Sequence, residues 1–142
     1  MVKKYMNIAS FLTPKSNVVY VNDTFTVRQG LEKLFRNGYT AIPVLTEEGK
    51  YVGTISEGDF LREIVKKPEE GNIYFPMKLA EKRFVKDIYN PKRNPPVRIT
   101  ASVEELLATA IDNNFVPVID DRDYFIGIVT RKEIIKYVYN NL

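Results

Sequence analysis

Residues 53 to 60 read GTISEGDF and place a serine hydroxyl three residues before an aspartate carboxylate, at Ser56 and Asp59. A hydroxyl residue followed at the third position by an acid commonly satisfies the free N–H groups at the start of a helix. The same spacing can hold a ligand, because a strand-to-helix junction offers free N–H groups and a positive dipole end to an anion. A carboxylate one turn further on can accept charge-assisted hydrogen bonds from two neighbouring hydroxyls. The pair is therefore either a helix cap or part of a binding site.

Four predicted helix starts share a hydroxyl residue and a side-chain acceptor three residues later: Thr26/Gln29, Ser56/Asp59, Ser102/Glu105 and Thr130/Glu133. Capping boxes favour Glu or Gln at the third position, because the longer side chain reaches back to the cap N–H. An aspartate follows only Ser56, which makes Asp59 the unusual choice for capping alone. Taken without further context, the motif still favours a cap at both Ser56 and Thr130.

Two basic residues, Arg131 and Lys132, fall in the first turn of the last predicted helix. The helix dipole disfavours cations there by about 0.3 to 1 kcal/mol each. An anionic ligand would compensate for this cost, and solvation of the side chains is the alternative. We favour solvation for Lys132 and leave both interpretations open for Arg131. Lys15, Lys92 and Arg93 lie in two matching loops, PKS in the first repeat and PKR in the second. Contact with a ligand phosphate is one interpretation of these residues, and solvated loop charge is the one we favour.

The composition argues against several classes of function. The chain has 142 residues, a net charge of +3 and interleaved basic and acidic residues, which gives little support to nucleic-acid binding. It has no cysteine and no histidine, so thiolate chemistry is excluded and the commonest general base and metal ligand are missing. We therefore expect no catalytic residues and no metal site. The N-terminal stretch lacks a signal-peptide core and no run is long enough to cross a bilayer, which predicts a cytoplasmic protein without a membrane partner.

The sequence contains two copies of one unit. Helical apolar stripes recur at an offset of 76: Val27, Leu31, Leu34 and Phe35 correspond to Val103, Leu107, Ala110 and Ile111. AIPVL followed by YVGTIS corresponds to FVPVI followed by FIGIVT, at an offset of 74. The predicted order of elements in each copy is β-α-β-β-α, which indicates an α/β fold. We place the first repeat at residues 1–65, a connector at 66–84 and the second repeat at 85–142.

In the order of these elements the sequence resembles the tandem cystathionine-β-synthase (CBS) domain pair, or Bateman module. The matching segments are YTAIPVL and NFVPVID, followed by YVGTISEGDF and FIGIVTRKEI, and preceded by LTPKSNVVYVNDTFTV and IYNPKRNPPVRITASV. The resemblance implies two repeats packed about a pseudo-twofold axis and a non-catalytic regulatory module. It also implies an adenosine-type ligand in the cleft between the repeats: AMP, ADP, ATP, cyclic di-AMP or S-adenosylmethionine. No covalent cofactor is implied. A homodimer and a separate effector protein are the expected partners.

The family's ligand contacts transfer to this sequence position by position. In the first repeat they fall on Thr13, Asn17, Val19, Tyr39, Thr40, Ala41, Ile42, Pro43, Ser56 and Asp59. In the second repeat they fall on Asn113, Asn114, Phe115, Val116, Pro117 and Thr130, with Asn90 and Asn94 as further candidates and Arg131 added by its charge. Tyr39 and Phe115 stand before the strand prolines, where an aromatic ring either stacks on a base or packs against the protein, and for Phe115 we favour packing. Glu133 stands where the family has the ribose-binding aspartate, which puts the second ribose site in doubt.

The resemblance reverses the interpretation of Ser56 and Asp59, which we now expect to hold phosphate and ribose hydroxyls respectively. For Thr130 and Glu133 the cap remains favoured. The alternative function is a ligand-free module for dimerisation or protein interaction, and binding of any adenosine compound would distinguish the two.

Overall fold

The computed structural model describes residues 7–64 and 82–142. In chain order the strands are β1 Thr13–Pro14, β2 Val21–Asn22, β3 Ala41–Leu45, β4 Tyr51–Ser56, β5 Val97–Arg98, β6 Phe115–Ile119 and β7 Phe125–Thr130. The α-helices in the described part of the chain are α1 Val27–Asn37, α2 Glu57–Ile64, α3 Val103–Asp112 and α4 Arg131–Asn140. The predicted α/β fold, with two β-α-β-β-α repeats, is confirmed. Of the predicted connector, residues 66–81 lie outside the described residues.

The described chain forms two compact units. The first, called the Asp59 unit, contains residues 19–48, 52–64 and 82–93, and the second, the Thr130 unit, contains residues 7–18, 49–51 and 94–142. The Asp59 unit has a three-stranded sheet in the order β2-β3-β4, with β2 parallel to β3. The Thr130 unit has a four-stranded sheet in the order β1-β7-β6-β5, in which β5 is parallel to β6 and β7 is antiparallel to both neighbours.

Each unit receives the first segment of the other sequence repeat. Thr13, near the start of the first repeat, pairs with Ile128 of β7. At the corresponding place near the start of the second repeat, the N–H and carbonyl of Asn90 pair with the carbonyl and N–H of Thr54, at 3.0 and 3.1 Å. The compact units therefore differ from the sequence repeats in their first segments, although each unit contains the central strands and helices of one repeat.

A glycine permits each of these close approaches. A Cβ on Gly127 would lie 2.2 Å from the carbonyl oxygen of Thr13. A Cβ on Gly53 would lie 2.6 Å from the ring of Tyr89 and 2.7 Å from the carbonyl oxygen of Asn90. These distances are shorter than van der Waals contact, so any side chain here would push the entering segment off the sheet. The matching glycines of YVGTIS and FIGIVT thus make room for backbone.

The helices begin where the sequence predicts, but their apolar stripes are only partly buried. Thr26 and Gln29 form a reciprocal capping box at the start of α1, and Gly38 ends the helix with a φ of 67°. In α1, Val27 and Leu34 are buried, whereas Phe35 is 85% exposed. The stripe is therefore wider than the contact with the sheet and leaves an apolar face uncovered within each unit.

Each unit has its own apolar core. The core of the Asp59 unit consists of Val21, Val27, Leu34, Ile42, Val44, Ile55, Phe60 and Val85. The core of the Thr130 unit consists of Ile8, Phe11, Val97, Val103, Leu106, Ala110, Val116, Val118, Val129 and Ile134. Among the described residues, none of the helices is long and apolar enough to cross a membrane.

Candidate ligand-binding site

Asp59 lies in the first turn of α2, directly after β4, and its side chain is only 4% exposed. The backbone N–H of Ser56 donates to Oδ2 of Asp59 at 2.9 Å, and the N–H of Asp59 donates to Oγ of Ser56 at 3.3 Å. The pair thus forms a complete reciprocal capping box. The premise that an aspartate is too short for the reciprocal bond is wrong at this position. Capping uses only part of the carboxylate, however, because each of its two oxygens can accept more than one hydrogen bond.

Two arginines use the remaining capacity of the Asp59 carboxylate. Nη1 of Arg93 lies 2.8 Å from Oδ2 and Nη2 of Arg93 lies 3.4 Å from Oδ1, so the guanidinium faces both oxygens. Arg62, one turn along α2, donates to Oδ1 as well. Its side chain is 68% exposed and that of Arg93 is 31% exposed. The interpretation of Arg93 as solvated loop charge is wrong. The only signal in the sequence was its place in the loop that matches the PKS loop of the first repeat.

The environment of Asp59 keeps its carboxyl group ionised. Burial alone would raise the pKa of Asp59, but the hydrogen bond and positive charge of Arg93 and the hydrogen bonds from Ser56 outweigh that effect and lower it below its ordinary value. The side chain is therefore a buried anion at neutral pH, located at the positive end of a helix dipole.

A cavity of about 410 Å³ opens beside this carboxylate and is lined by Asp59, Arg62, Glu63, Asp87 and Ile88. Its other acids already have partners: Glu63 accepts from Nε of Arg83 at 2.6 Å, and Asp87 accepts from a backbone N–H at 3.0 Å. The walls are thus charged but paired, and a ligand with several hydroxyl groups would be accepted here by displacing a donor that the carboxylates already have. All of these residues belong to the Asp59 unit.

The predicted segment from Tyr39 to Pro43 divides into a surface part and a core part. Tyr39 and Thr40 are exposed and line a second, largely apolar cavity of about 500 Å³ together with residues of α1 and α2. The carbonyl of Thr40 accepts the N–H of Glu57 at 2.9 Å. Ile42 and Pro43 are buried in β3, and Ala41 is partly buried. Their side chains build the sheet, so a ligand could reach this segment chiefly through its backbone and its first two residues.

The three upstream residues predicted to contact a ligand fall in different units. Thr13 and Asn17 lie in the Thr130 unit, where Thr13 is in β1 and Asn17 ends a short 3-10 helix, Lys15–Asn17. Val19 lies in the Asp59 unit and packs against its core. Ligand contacts by these three residues stay a prediction.

In the Thr130 unit, Thr130 caps α4 as expected, with its Oγ1 accepting the N–H of Glu133 at 3.2 Å. Arg131 has a partner that the sequence did not suggest. Its Nε donates to the carbonyl of Ala110 at 2.8 Å, and its Nη2 donates to the carbonyl of Ile111. These carbonyls belong to the last turn of α3, where a cation is favoured. The end of another helix therefore offsets the unfavourable position of Arg131, and no ligand is needed to explain it.

The segment from Asn113 to Pro117 is held by a buried asparagine. Asn94 is 3% exposed, has a φ of 56°, and donates from Nδ2 to the carbonyl of Phe115 at 2.9 Å and to Oδ1 of Asn114 at 3.4 Å. Asn113 bonds back to a carbonyl of α3 at 2.8 Å, while the side chains of Phe115, Val116 and Pro117 are buried. Asn94 thus acts on this segment by fixing its backbone.

Comparison with known proteins agrees with this architecture. The family model for the CBS domain matches residues 8–66 and 85–140. An uncharacterised protein of Methanocaldococcus jannaschii is 31% identical over 128 residues, covering 73% of this chain and 76% of that protein.

Two solved structures of CbpB in complex with c-di-AMP are also similar to this chain. One is 30% identical with a TM-score of 0.81 and covers 95% of this chain and 85% of its own. The other, from Listeria monocytogenes, is 26% identical with a TM-score of 0.80 and covers 94% of this chain and 96% of its own. With both repeats matched by the family model and the same arrangement found in solved relatives, the chain belongs to the CBS domain family and carries a tandem pair of its repeats.

Proposed function

We propose that this protein is a non-catalytic regulatory module that binds an adenosine-type ligand at Asp59 and passes the bound state to a partner protein. The observation that carries the proposal is the Asp59 carboxylate itself. It is buried, ionised, at the N-terminus of α2 and on the wall of a cavity. A buried anion that faces an open cavity is suited to a ligand with adjacent hydroxyl groups, as in a ribose.

The surroundings of Asp59 also suit the rest of a nucleotide. Ser56 places a hydroxyl at the strand-to-helix junction, where backbone N–H groups and the helix dipole favour a phosphate. Gly58 has no side chain to obstruct the first turn of α2. The exposed ring of Tyr39 and the neighbouring Thr40 offer a surface for a base. The proposed contacts in this repeat are those that the resemblance assigned, from Thr13 to Asp59.

Relatives of known structure support the class of ligand. CbpB is 30% identical to this chain and has been crystallised with c-di-AMP, a ligand that contains two adenosine units. The proposed ligands are therefore c-di-AMP, AMP, ADP, ATP and S-adenosylmethionine. The Asp59 site is the stronger of two, because Glu133 stands in the second repeat where the first has Asp59. A phosphate contact by Arg131 requires release from α3 and stays a prediction.

The second candidate function, dimerisation, is supported by the apolar side chains that the helices expose. Apolar side chains remain exposed on the helices of both units: Phe35 85%, Leu61 60%, Ile111 74%, Ile135 67% and Tyr139 74%. Neighbouring exposed apolar groups mark protein interaction sites. We include a homodimer in the proposed function. Sedimentation of Phe35→Glu against the parent protein tests it, and a parent that is monomeric at micromolar concentration would contradict it.

Calorimetry and thermal shift with the five ligands test the binding function. A ligand at about 100 times its dissociation constant stabilises the folded protein by about 2.7 kcal/mol. Asp59→Ala is expected to weaken binding at least tenfold. The matched control is Glu105→Ala, which removes an exposed acid three residues after the cap of α3 and should leave binding unchanged. If none of the five compounds binds the parent protein, the module acts through dimerisation alone.

A further inference from the structure

Arg93 competes for the atoms that a ribose needs. Its guanidinium faces both oxygens of Asp59, at 2.8 and 3.4 Å, while the N–H of Ser56 and Arg62 take further acceptor sites on the same carboxylate. The carboxylate therefore has little capacity left. Two ribose hydroxyls cannot both be accepted unless one of these donors leaves.

Arg93 is the donor whose departure matters most. The N–H of Ser56 is fixed in the backbone, so it stays. Arg62 is 68% exposed, so water and salt screen its charge and replace its hydrogen bond more readily than those of Arg93. Arg93 is only 31% exposed and meets a carboxylate that is 4% exposed, so its hydrogen bonds are shielded from water and from salt.

The segment that carries Arg93 is anchored a short distance upstream. Asn90 pairs with Thr54 of β4 through two backbone hydrogen bonds, and the N–H of Lys92 donates to Oδ1 of Asn90 at 2.9 Å. The backbone before Arg93 is thereby fixed to the same strand that leads to Ser56. The long arginine side chain can change its rotamer while its backbone stays beside the site.

We propose that Arg93 sets the specificity of the Asp59 site by occupying the carboxylate in the ligand-free protein and pairing with an anionic group of the ligand when a ribose displaces it. This inference rests on the proposed function. When a nucleoside without phosphate binds, the Arg93–Asp59 ion pair is broken and Arg93 gains no anionic partner in its place. A nucleotide replaces it with an arginine–phosphate pair. Arg93 thus disfavours adenosine and selects the phosphorylated compound.

The test is calorimetry with two probes, adenosine and AMP, on the parent protein and Arg93→Ala. The variant is expected to bind adenosine about tenfold more tightly than the parent does, because the competing hydrogen bonds to a charged group are gone. The preference for AMP over adenosine should fall by at least tenfold. Arg98→Ala is the matched control, since Arg98 also pairs with an aspartate at 2.8 Å but lies outside the site. It should change neither affinity by more than about twofold.

Arg93→Lys provides a second variant in case the alanine variant does not fold. It keeps the charge but not the two-pronged geometry, so adenosine should bind it more tightly than the parent and less tightly than Arg93→Ala. Unchanged adenosine affinity in these variants, or equal weakening of both probes, overturns the role of Arg93 while leaving the proposed function intact. If the parent binds neither probe, or Asp59→Ala binds both as the parent does, the binding site itself is wrong and the inference is overturned with it.

Discussion

Asp59→Asn is expected to lower the free energy of unfolding of the ligand-free protein by about 2 to 3 kcal/mol. The asparagine keeps the size of the side chain and one oxygen for the N–H of Ser56, so most of the cap survives. It loses the charge that Arg93 meets at 2.8 and 3.4 Å. Hydrogen bonds to charged groups contribute about 1.5 to 3 kcal/mol. The ion pair with Arg62, whose side chain is 68% exposed to solvent, adds at most about 1 kcal/mol.

Urea denaturation at pH 7 measures this change in the free energy of unfolding. A double-mutant cycle with Arg93→Ala shows how much of it comes from the interaction between Asp59 and Arg93. The two single variants and the double variant should show a coupling energy of about 1.5 kcal/mol between Asp59 and Arg93. Asp123→Asn is the control, because its pair with Arg98 joins two side chains that are at least half exposed, and its loss should stay below about 1 kcal/mol. A coupling energy below about 0.5 kcal/mol would refute the reasoning, since the ion pair would then contribute nothing to the fold.

The same variant has a characteristic pH dependence. The folded protein lowers the pKa of Asp59 below its ordinary value. A carboxyl group with a lowered pKa stabilises the fold above its unfolded pKa, and that contribution is lost as the pH falls towards the folded pKa. The stability difference between the parent and Asp59→Asn should therefore be constant between about pH 7 and 5 and shrink below about pH 4. A difference that grows on acidification would contradict the direction of the shift.

Three further outcomes are expected. Gly53→Ala should destabilise the protein by about 1 to 3 kcal/mol, because its Cβ would lie 2.6 Å from a tyrosine ring. Gly58→Ala should be neutral or stabilising by up to about 1 kcal/mol, because the nearest atom to its Cβ, at 3.3 Å, is the end of the exposed and flexible Arg62 side chain; equal urea midpoints for the two variants would contradict this. Arg131→Ala should lower the free energy of unfolding by about 1 kcal/mol because two carbonyls at the end of α3 lose their donor, and unchanged stability would show that these bonds contribute nothing. Calorimetry should show that Asp59→Ala weakens the binding of AMP at least tenfold more than Glu133→Ala does. Equal losses of AMP affinity in the two variants would mean that the two sites are equivalent.

The repeat pattern and the helix starts could be predicted from the sequence because they depend on local spacing. Each cap joins a hydroxyl oxygen to the backbone N–H three residues later, within one turn of helix. The caps at Thr26, Ser56, Ser102 and Thr130 therefore all form as predicted. Such features need no knowledge of which distant segment packs on them.

The partners of the charged residues could not be predicted in this way. Arg93 reaches Asp59 across 34 positions and Arg131 reaches Ala110 across 21, and neither separation has a periodicity that a pattern could reveal. The exposure of Phe35 is another example, because an apolar stripe shows that a face is apolar without showing what covers it. In each case the tertiary arrangement decides between two local possibilities.

The exchange of entry segments has a consequence for synthesis on the ribosome. The backbone of Thr13 finds its partner in Ile128, so the sheet of the Thr130 unit cannot be completed until more than a hundred further residues have been translated. At about 5 to 20 residues per second this takes several seconds or more. Over the same interval the Asp59 unit can already close, because its last described segment, around Asn90, emerges well before β7. The nascent chain should therefore acquire protease resistance in two steps, with the Asp59 unit first, and β1 should be among the last parts to be protected although it is translated before the strands of that unit.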